Sequence, residues 1–356
     1  MIMPRRPSRA ITLGTVRIGG MAPIVVQSMT TTPTRHAAAT ATQIRALAAA
    51  GCEVVRVALP DQAAIAALAP ILKSSPVPLV ADIHYDHRLA LAAIDAGIHG
   101  LRINPGTIGS HAKLRAVARA AEAAAVPIRV GVNSGSLAKH ARGLEPARAL
   151  VESALVELRV LEELGFEAIK VSLKASAVDV LVEANRELAR LRPYPLHLGL
   201  TEAGTARAGA IRSSAALAIL LSEGIGDTIR VSLAADPIEE VLVAWELLRA
   251  LGLRGGGVRV IACPTCARAH GPVIALAEKI EAKLARRSCP RGLCIAVMGC
   301  EVNGPGEAAH ADIGIAFGRS QSLLFRAGEI AHRGQHDEIE TLLLDSIEEF
   351  LDETKE

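Results

Sequence analysis

Short β-branched, apolar runs recur along the first two thirds of the chain, and each is followed by a stretch whose apolar positions repeat at helical period. The runs are PIVVQS (23–28), EVVRVAL (53–59), VPLVADI (77–83), GLRIN (100–104), PIRVGVN (127–133), AIKVSLK (168–174), LHLGLTE (196–202) and TIRVSL (228–233). Eight strands alternating with helices such as ATQIRALAAAG and AALAILLSEG predict an α/β fold, a (β/α)8 barrel of TIM type. Their span to residue 253 fits the roughly 250 residues typical of that architecture. Strands so continuously apolar suit a parallel sheet covered by helices. An open doubly wound sheet is the alternative, disfavoured because no GxGxxG opens the first helix.

The pattern changes at LRGGGVRV (253–260), where three successive glycines make a flexible joint. The boundary expected from it gives a barrel over 1–253 and a smaller α+β unit over 254–356. That second unit reads as strand VRVIA, a helix over 271–285, strand LCIAVMG, a stiff Gly-Pro-Gly bend within MGCEVNGPGEA (298–308), strand ADIGIAF, a turn, SLLFRAG, and a closing helix from about 337.

Composition narrows the possibilities. Across 356 residues the net charge is only +2 and aromatic residues make up 2%, which leaves few rings to stack bases, so nucleic-acid binding is disfavoured. No apolar run approaches the roughly 18 residues of a membrane span, and MIMPRRPSRAITLG lacks the apolar core of a signal peptide. A soluble, cytoplasmic protein with no membrane partner is expected. Six cysteines stand at 52, 263, 266, 289, 294 and 300, and five of them fall within 38 residues. In an enzyme-sized chain of this kind, such crowding points to metal binding or redox chemistry rather than a disulfide framework.

In ACPTCAR, Cys263 and Cys266 have the spacing that lets two thiolates reach one metal centre from a single turn. A zinc clip, unliganded thiols and a thioredoxin-like redox pair fit that spacing as well. Cys300 adds a third thiolate. For a fourth ligand, Cys289 and Cys294 would complete a zinc site made wholly of cysteine sulfur. Glu307 would instead give an iron–sulfur centre with one weakly held, exchangeable corner, as substrate chemistry at iron requires. Spacing alone leaves zinc and iron–sulfur both open.

Active sites of such barrels lie at the C-terminal ends of the strands. Read in order, those ends carry Gln27 and Ser28, Arg56, Asp82 with His84, Arg102 with Asn104, Asn133, Lys170 with Lys174, Thr201 with Glu202, and Arg230 with Ser232. A single arginine there is commonly a salt-bridge member, but Arg56, Arg102, Lys174 and Arg230 together suggest a ligand with about two phosphates. Glu202 is the best acid/base candidate, on the expectation that burial among cations protonates or pins it. His84 could share that role or donate to an anion. RINPGTIG (102–109) and VNSGS (132–136) offer backbone donors for phosphate. Two further readings are an aldolase-like enzyme using Lys170 or Lys174 as a Schiff base, and a non-catalytic phosphoanion-binding protein stabilised by zinc or a cluster.

VQSMT, ADIHYDHRLAL, LRINPGTIG, GVNSGSL, KVSLKAS, LGLTEAG, GIGDTIRVSL, CPTC and GCEVNGPGEAAHADIGIA occur in this order. With them the chain resembles, nearly end to end, the 4-hydroxy-3-methylbut-2-enyl diphosphate synthase family of the methylerythritol phosphate isoprenoid pathway, in its bacterial two-domain form. The resemblance implies reductive ring opening and dehydroxylation of 2-C-methyl-D-erythritol 2,4-cyclodiphosphate to the linear diphosphate. It implies a [4Fe–4S] cluster on Cys263, Cys266, Cys300 and Glu307, with Arg56, Arg102, Lys174 and Arg230 on the substrate diphosphate. It places Asp82, His84, Asn133 and Ser232 along the pocket, Glu202 as proton donor to the leaving hydroxyl, and Asn303 reaching in from the cluster domain. It further implies a homodimer whose cluster domain closes over the partner's barrel, and electrons from ferredoxin or flavodoxin. Cys289 and Cys294 are outside the family motif.

Overall fold

Alternate residues of a strand face opposite ways, and in a closed barrel that alternation decides what packs under the helices and what fills the interior. The structure, a computed structural model, describes residues 2–104, 110–137, 141, 143–284, 287, 289 and 291–353. The chain divides into two units, Met1–Arg254 and Gly255–Glu356.

The first unit opens with a hairpin, β1 (Ile11–Leu13) and β2 (Val16–Ile18), which the strand pattern did not predict. Eight strands follow: β3 (Val25–Met29), β4 (Val54–Ala58), β5 (Leu79–Asp82), β6 (Gly100–Ile103), β7 (Ile128–Asn133), β8 (Ile169–Lys174), β9 (His197–Leu198) and β10 (Thr228–Ile229). They form one parallel sheet in the order β8-β7-β6-β5-β4-β3-β10-β9. A parallel bridge between Val171 and Leu196 joins its two ends, and the Val171 N–H donates to Pro195 O at 2.9 Å. This is the (β/α)8 barrel expected from the sequence.

Val55 and Val57, Leu79 and Ala81, Leu101 and Ile103, Ile128 and Val130, and Ile169 and Val171 face outward into a core shared with the helices. The inward positions are mixed. At the N-terminal end Val25, Val54 and Val80 pack against Ile11, Leu13 and Ile18 of the hairpin, which seals that end with apolar side chains. Above them Arg56, Asp82, Arg102, Arg129, Lys170, Lys174 and His197 take interior positions that most such barrels give to Val, Ile and Leu.

The second unit is a five-stranded sheet: β11 (Val258–Ala262), β12 (Leu293–Met298), β13 (Ile313–Phe317), β14 (Ser322–Arg326) and β15 (Glu329–Gly334). The first three strands run parallel and the last two are antiparallel. Helices Val273–Leu284 and His336–Glu353 cover one face, burying Leu276, Ile280 and Leu343 against Ile295, Ile315 and Phe317. Helix Gly304–Ala309 covers the other face beside Ala296, Met298 and Ala316. It stands where the sequence reading had a stiff bend. Pro305 occupies a first-turn position where its missing N–H costs nothing. Gly304 permits the close approach, since a Cβ there would lie 3.2 Å from the Cβ atoms of both Ala316 and Met298.

Candidate functional site

At the C-terminal end of the barrel, Asp82 closes β5 and gathers three neighbours. Arg102 Nη1 donates to its Oδ1 at 3.0 Å, His84 Nε2 lies 3.5 Å from the same oxygen, and Arg56 Nε lies 3.7 Å from Oδ2. Arg102 also contacts His84 Nε2 and donates to Gly131 O at 3.2 Å. Burial would raise the Asp82 carboxyl, but Arg56, His84, Arg102 and Arg129 together hold it well below the usual carboxylate range. It is therefore a fixed negative charge. Among the described residues Arg56 donates otherwise only to Met29 Sδ, at 3.1 and 2.9 Å, a weak acceptor that leaves the guanidinium able to take a better one. Burial pushes Arg56 down to about 10, with Arg230 and Arg102 adding repulsion that Asp82 opposes.

Across the barrel, Arg230 forms a two-pronged pair with Glu240, both distances 3.0 Å. Glu240 also accepts from Ser28 Oγ at 2.9 Å and from the Leu233 N–H at 3.1 Å. It sits in the first turn of helix Pro237–Ala250, and nothing local in the sequence marks it as the clamp on Arg230. Lys174 ends β8 directly opposite Asn133 of β7. Burial, then Arg230, Arg129 and Arg56, push its ammonium well below its ordinary value. Ser232 is half-buried just beyond β10. Glu202 is exposed rather than buried as expected, because the chain turns there through a left-handed conformation with φ of 54°. A non-glycine residue held that way costs about 1 kcal/mol or more and is found where a loop must aim a side chain. Pro105–Gly109, part of one expected phosphate nest, lie outside the described residues.

Two glycines make the room for these cations. A Cβ on Gly131 would stand 2.7 Å from Arg102 Nε, and one on Gly199 would stand 2.5 Å from Arg230 O and 2.7 Å from Lys174 Nζ. Because backbone cannot yield cheaply, Gly199→Ala is expected to displace Lys174. A roughly tenfold weaker affinity for a diphosphate ligand, read by calorimetry, should accompany a stability loss of about 1–3 kcal/mol. Unchanged affinity would show that Lys174 is not positioned by this clearance.

Below this mouth lie residues that sequence reading passed over or weighed only for other chemistry. Arg129, Lys170 and His197 are at most 2% exposed, and Arg129 Nε and Nη1, Lys170 Nζ and His197 Nε2 have no hydrogen-bond partner among the described residues. The alternation of IRVGVN and IKVSLK could have revealed two of them once both strand faces were known to be enclosed.

In the second unit, Cys263 and Cys266 follow the C-terminal end of β11, and Cys300 follows that of the adjacent parallel strand β12. The Cys263 N–H donates to Val297 O at 3.0 Å and the His270 N–H to Gly299 O at 2.9 Å, so both loops are tied to one sheet edge. Cys300 is buried, and the backbone N–H groups of Val302 and Asn303, with Arg268 and the Gly304 N–H, lower its thiol below the ordinary value. Helix Gly304–Ala309 follows immediately and carries Glu307 in its first turn, exposed, as is Asn303 before it. Glu301 points to other partners: His270 Nε2 at 3.4 Å and Arg319 Nε at 3.6 Å.

Three thiols and a carboxylate, Cys263, Cys266, Cys300 and Glu307, therefore stand on loops and a short helix at the C-terminal ends of two adjacent parallel strands. The two remaining cysteines lie elsewhere on the sheet. Cys294 lies at the far end of β12, and the four residues of strand up to Met298 alone put it about 13 Å from the edge where Cys300 sits. Cys289 lies under the opposite face, in the core with Leu293 and Ile295.

Two family models match this chain: the GcpE TIM-barrel domain over residues 8–245 and the GcpE protein C-terminal domain over residues 259–349. The 4-hydroxy-3-methylbut-2-en-1-yl diphosphate synthase (flavodoxin) of Geobacter sulfurreducens is 52% identical over 349 residues, covering 97% of this chain and 98% of the relative. The protein of the same name from Lawsonia intracellularis is 54% identical over 329 residues, covering 92% of this chain and 91% of its own. Among solved structures, dihydropteroate synthase from Stenotrophomonas maltophilia superposes with a TM-score of 0.52 at 15% identity, over 69% of this chain and 98% of that one. That likeness concerns the barrel fold alone.

Proposed function

The chain belongs to the GcpE family, and we infer from that membership and the two constellations that it converts 2-C-methyl-D-erythritol 2,4-cyclodiphosphate to 4-hydroxy-3-methylbut-2-enyl diphosphate. It is an oxidoreductase of isoprenoid precursor biosynthesis. The observation that carries the assignment of labour within the chain is the barrel interior, where six basic side chains, Arg56, Arg102, Arg129, Lys170, Lys174 and Arg230, outnumber the carboxylates Asp82 and Glu240 that pair with them. A small substrate with two phosphates supplies the missing negative charge.

In the proposed site Arg56, Arg102, Lys174 and Arg230 hold the diphosphate. Asp82 and His84 fix Arg102, and Glu240 fixes Arg230, so the cations are oriented before substrate arrives. Asn133 and Ser232 line the pocket, and Asn303 is a further proposed substrate contact. Cys263, Cys266, Cys300 and Glu307 are proposed to hold a [4Fe–4S] cluster, which when bound supplies the two electrons of the reaction. The amide cradle of Cys300 favours the thiolate that such a ligand must be. Glu202 donates a proton to the hydroxyl that leaves as water, and the ring opens to a linear diphosphate that keeps both phosphorus atoms. Flavodoxin, named in the relatives, is the proposed electron donor, with ferredoxin the alternative, and a homodimer is the proposed assembly. Among the described residues no helix is long and apolar enough to cross a membrane.

Anaerobic turnover of the cyclic diphosphate with reductant tests the activity, and linear diphosphate is the expected product. About four irons and four sulfides per chain are expected in the same preparation; stoichiometric zinc without sulfide would overturn the cofactor. Glu202→Gln should keep iron content and substrate affinity and lower turnover about a hundredfold, the usual weight of a positioned proton donor. Turnover at the wild-type rate would remove Glu202 from the mechanism.

A further inference from the structure

Lys170 sits one layer below the proposed diphosphate site and has no role in it. Its position on β8 pairs directly with Arg129 on β7, and both side chains are 2% exposed. The groups that bear on it are Arg129 from β7, Asp227 from the turn before β10, and Arg56 from β4. His197 on β9 faces the same interior, with Nδ1 2.8 Å from Thr228 Oγ1, and burial followed by Arg129, Lys174 and Lys170 keeps it neutral, well below its ordinary value. The attractive group among them, Asp227, is already engaged: Arg5 Nη2 and Ser8 Oγ donate to Oδ1 and the Leu196 N–H to Oδ2, each at 2.8 Å. Lys170 Nζ has no hydrogen-bond partner among the described residues.

An unpaired ammonium buried beside a guanidinium is strongly disfavoured. Arginine does not release its proton in proteins, whereas lysine does so readily when buried. The lysine is therefore the member of the pair that gives way.

We propose that Lys170 stands uncharged in the substrate-free barrel and takes up a proton from solvent when the cyclic diphosphate binds above it, so that substrate affinity is linked to pH. Besides burial, what holds Lys170 down, to about 7, is repulsion from Arg129 and Arg56. A dianion at the mouth screens those two charges and lifts the lysine back toward its ordinary range. The proton goes to Nζ and to nothing on the ligand, because each phosphorus of the cyclic diphosphate bears a single strongly acidic oxygen that is already ionised. Lys170 is thus a positioning residue that adjusts the charge of the interior to the occupant.

The proposal rests on the cyclic diphosphate binding in this barrel, and the test separates the two. Substrate is titrated into the oxidised holoenzyme, without reductant, in buffers of different ionisation enthalpy, and the slope of heat against that enthalpy counts protons. At pH 8 the expected uptake approaches one proton per site, falling toward zero at pH 6. Lys170→Met should remove at least half of that uptake while binding heat persists. Wild-type affinity should weaken roughly tenfold per pH unit above about 7.5 and level off below 6.5, a readout independent of the variant's folding. Binding with no proton uptake, uptake unchanged in Lys170→Met, or a flat wild-type affinity profile would overturn the proposal. Absence of any binding would refute the diphosphate site itself.

Discussion

Glu307→Ala is expected to abolish turnover, by at least about a thousandfold, and to lower the iron and sulfide retained after anaerobic purification, while Glu301→Ala keeps most of both. The two acids are six residues apart and both exposed, yet the fold gives them different neighbours. Glu301 directs its two oxygens to His270 and Arg319, solvent-facing pairs of the kind worth about 1 kcal/mol or less. Glu307 leads the short helix that begins four residues after Cys300, on the edge shared with Cys263 and Cys266. Removing it takes away the one oxygen donor of the proposed ligand set, and nearby water can fill the corner without holding it. The second unit should stay folded in both variants, because neither side chain belongs to its core, and circular dichroism checks this. Equal loss of iron and activity from the two variants would contradict the ligand assignment.

Asp82→Asn is expected to lower the stability of the substrate-free barrel by roughly 3 kcal/mol, the usual cost of removing one partner from a buried ion pair. Arg56 and Arg102 would be left facing each other without the carboxylate that separates them. Because the folded-state carboxyl lies below its unfolded value, this stabilisation is present above about pH 4 and is lost as pH falls through the folded-state value. The difference between the two proteins should therefore be full at pH 7 and shrink in acid. Substrate should restore more stability to the variant than to the wild type, since the dianion provides the counter-charge that the asparagine lacks. Turnover should fall about a hundredfold with KM unchanged or lower, as Arg102 and His84 lose their orientation while the pocket grows more positive. A lowered KM with full turnover would mean that Asp82 only opposes substrate.

The eight barrel strands were legible because each carries apolar residues on its outward face and a helical period follows. The cations at the mouth were legible because strand ends are where such barrels act. What escaped was the lower interior. In IRVGVN and IKVSLK the polar residues alternate with apolar ones, which reads as a strand with one wet face; closure of the sheet turns that face inward. The hairpin escaped because its strands are three residues long, although Gly14, with φ of 57°, is the turn residue such a connection needs. Helix Gly304–Ala309 was hidden by its own proline, which breaks a helix anywhere but at the start. Glu240 and Asp227 work through contacts 10 and more than 200 residues away, which no local pattern displays.

The apolar hairpin under the barrel makes it a flask and not a pipe. With Ile11, Leu13 and Ile18 wedged against the first interior layer, that end is closed by apolar side chains, and the polar interior around Lys170 and Arg129 lies toward the mouth where the substrate is proposed to bind. On the reading proposed above, the proton that Lys170 takes up comes from the mouth, as the substrate seats itself.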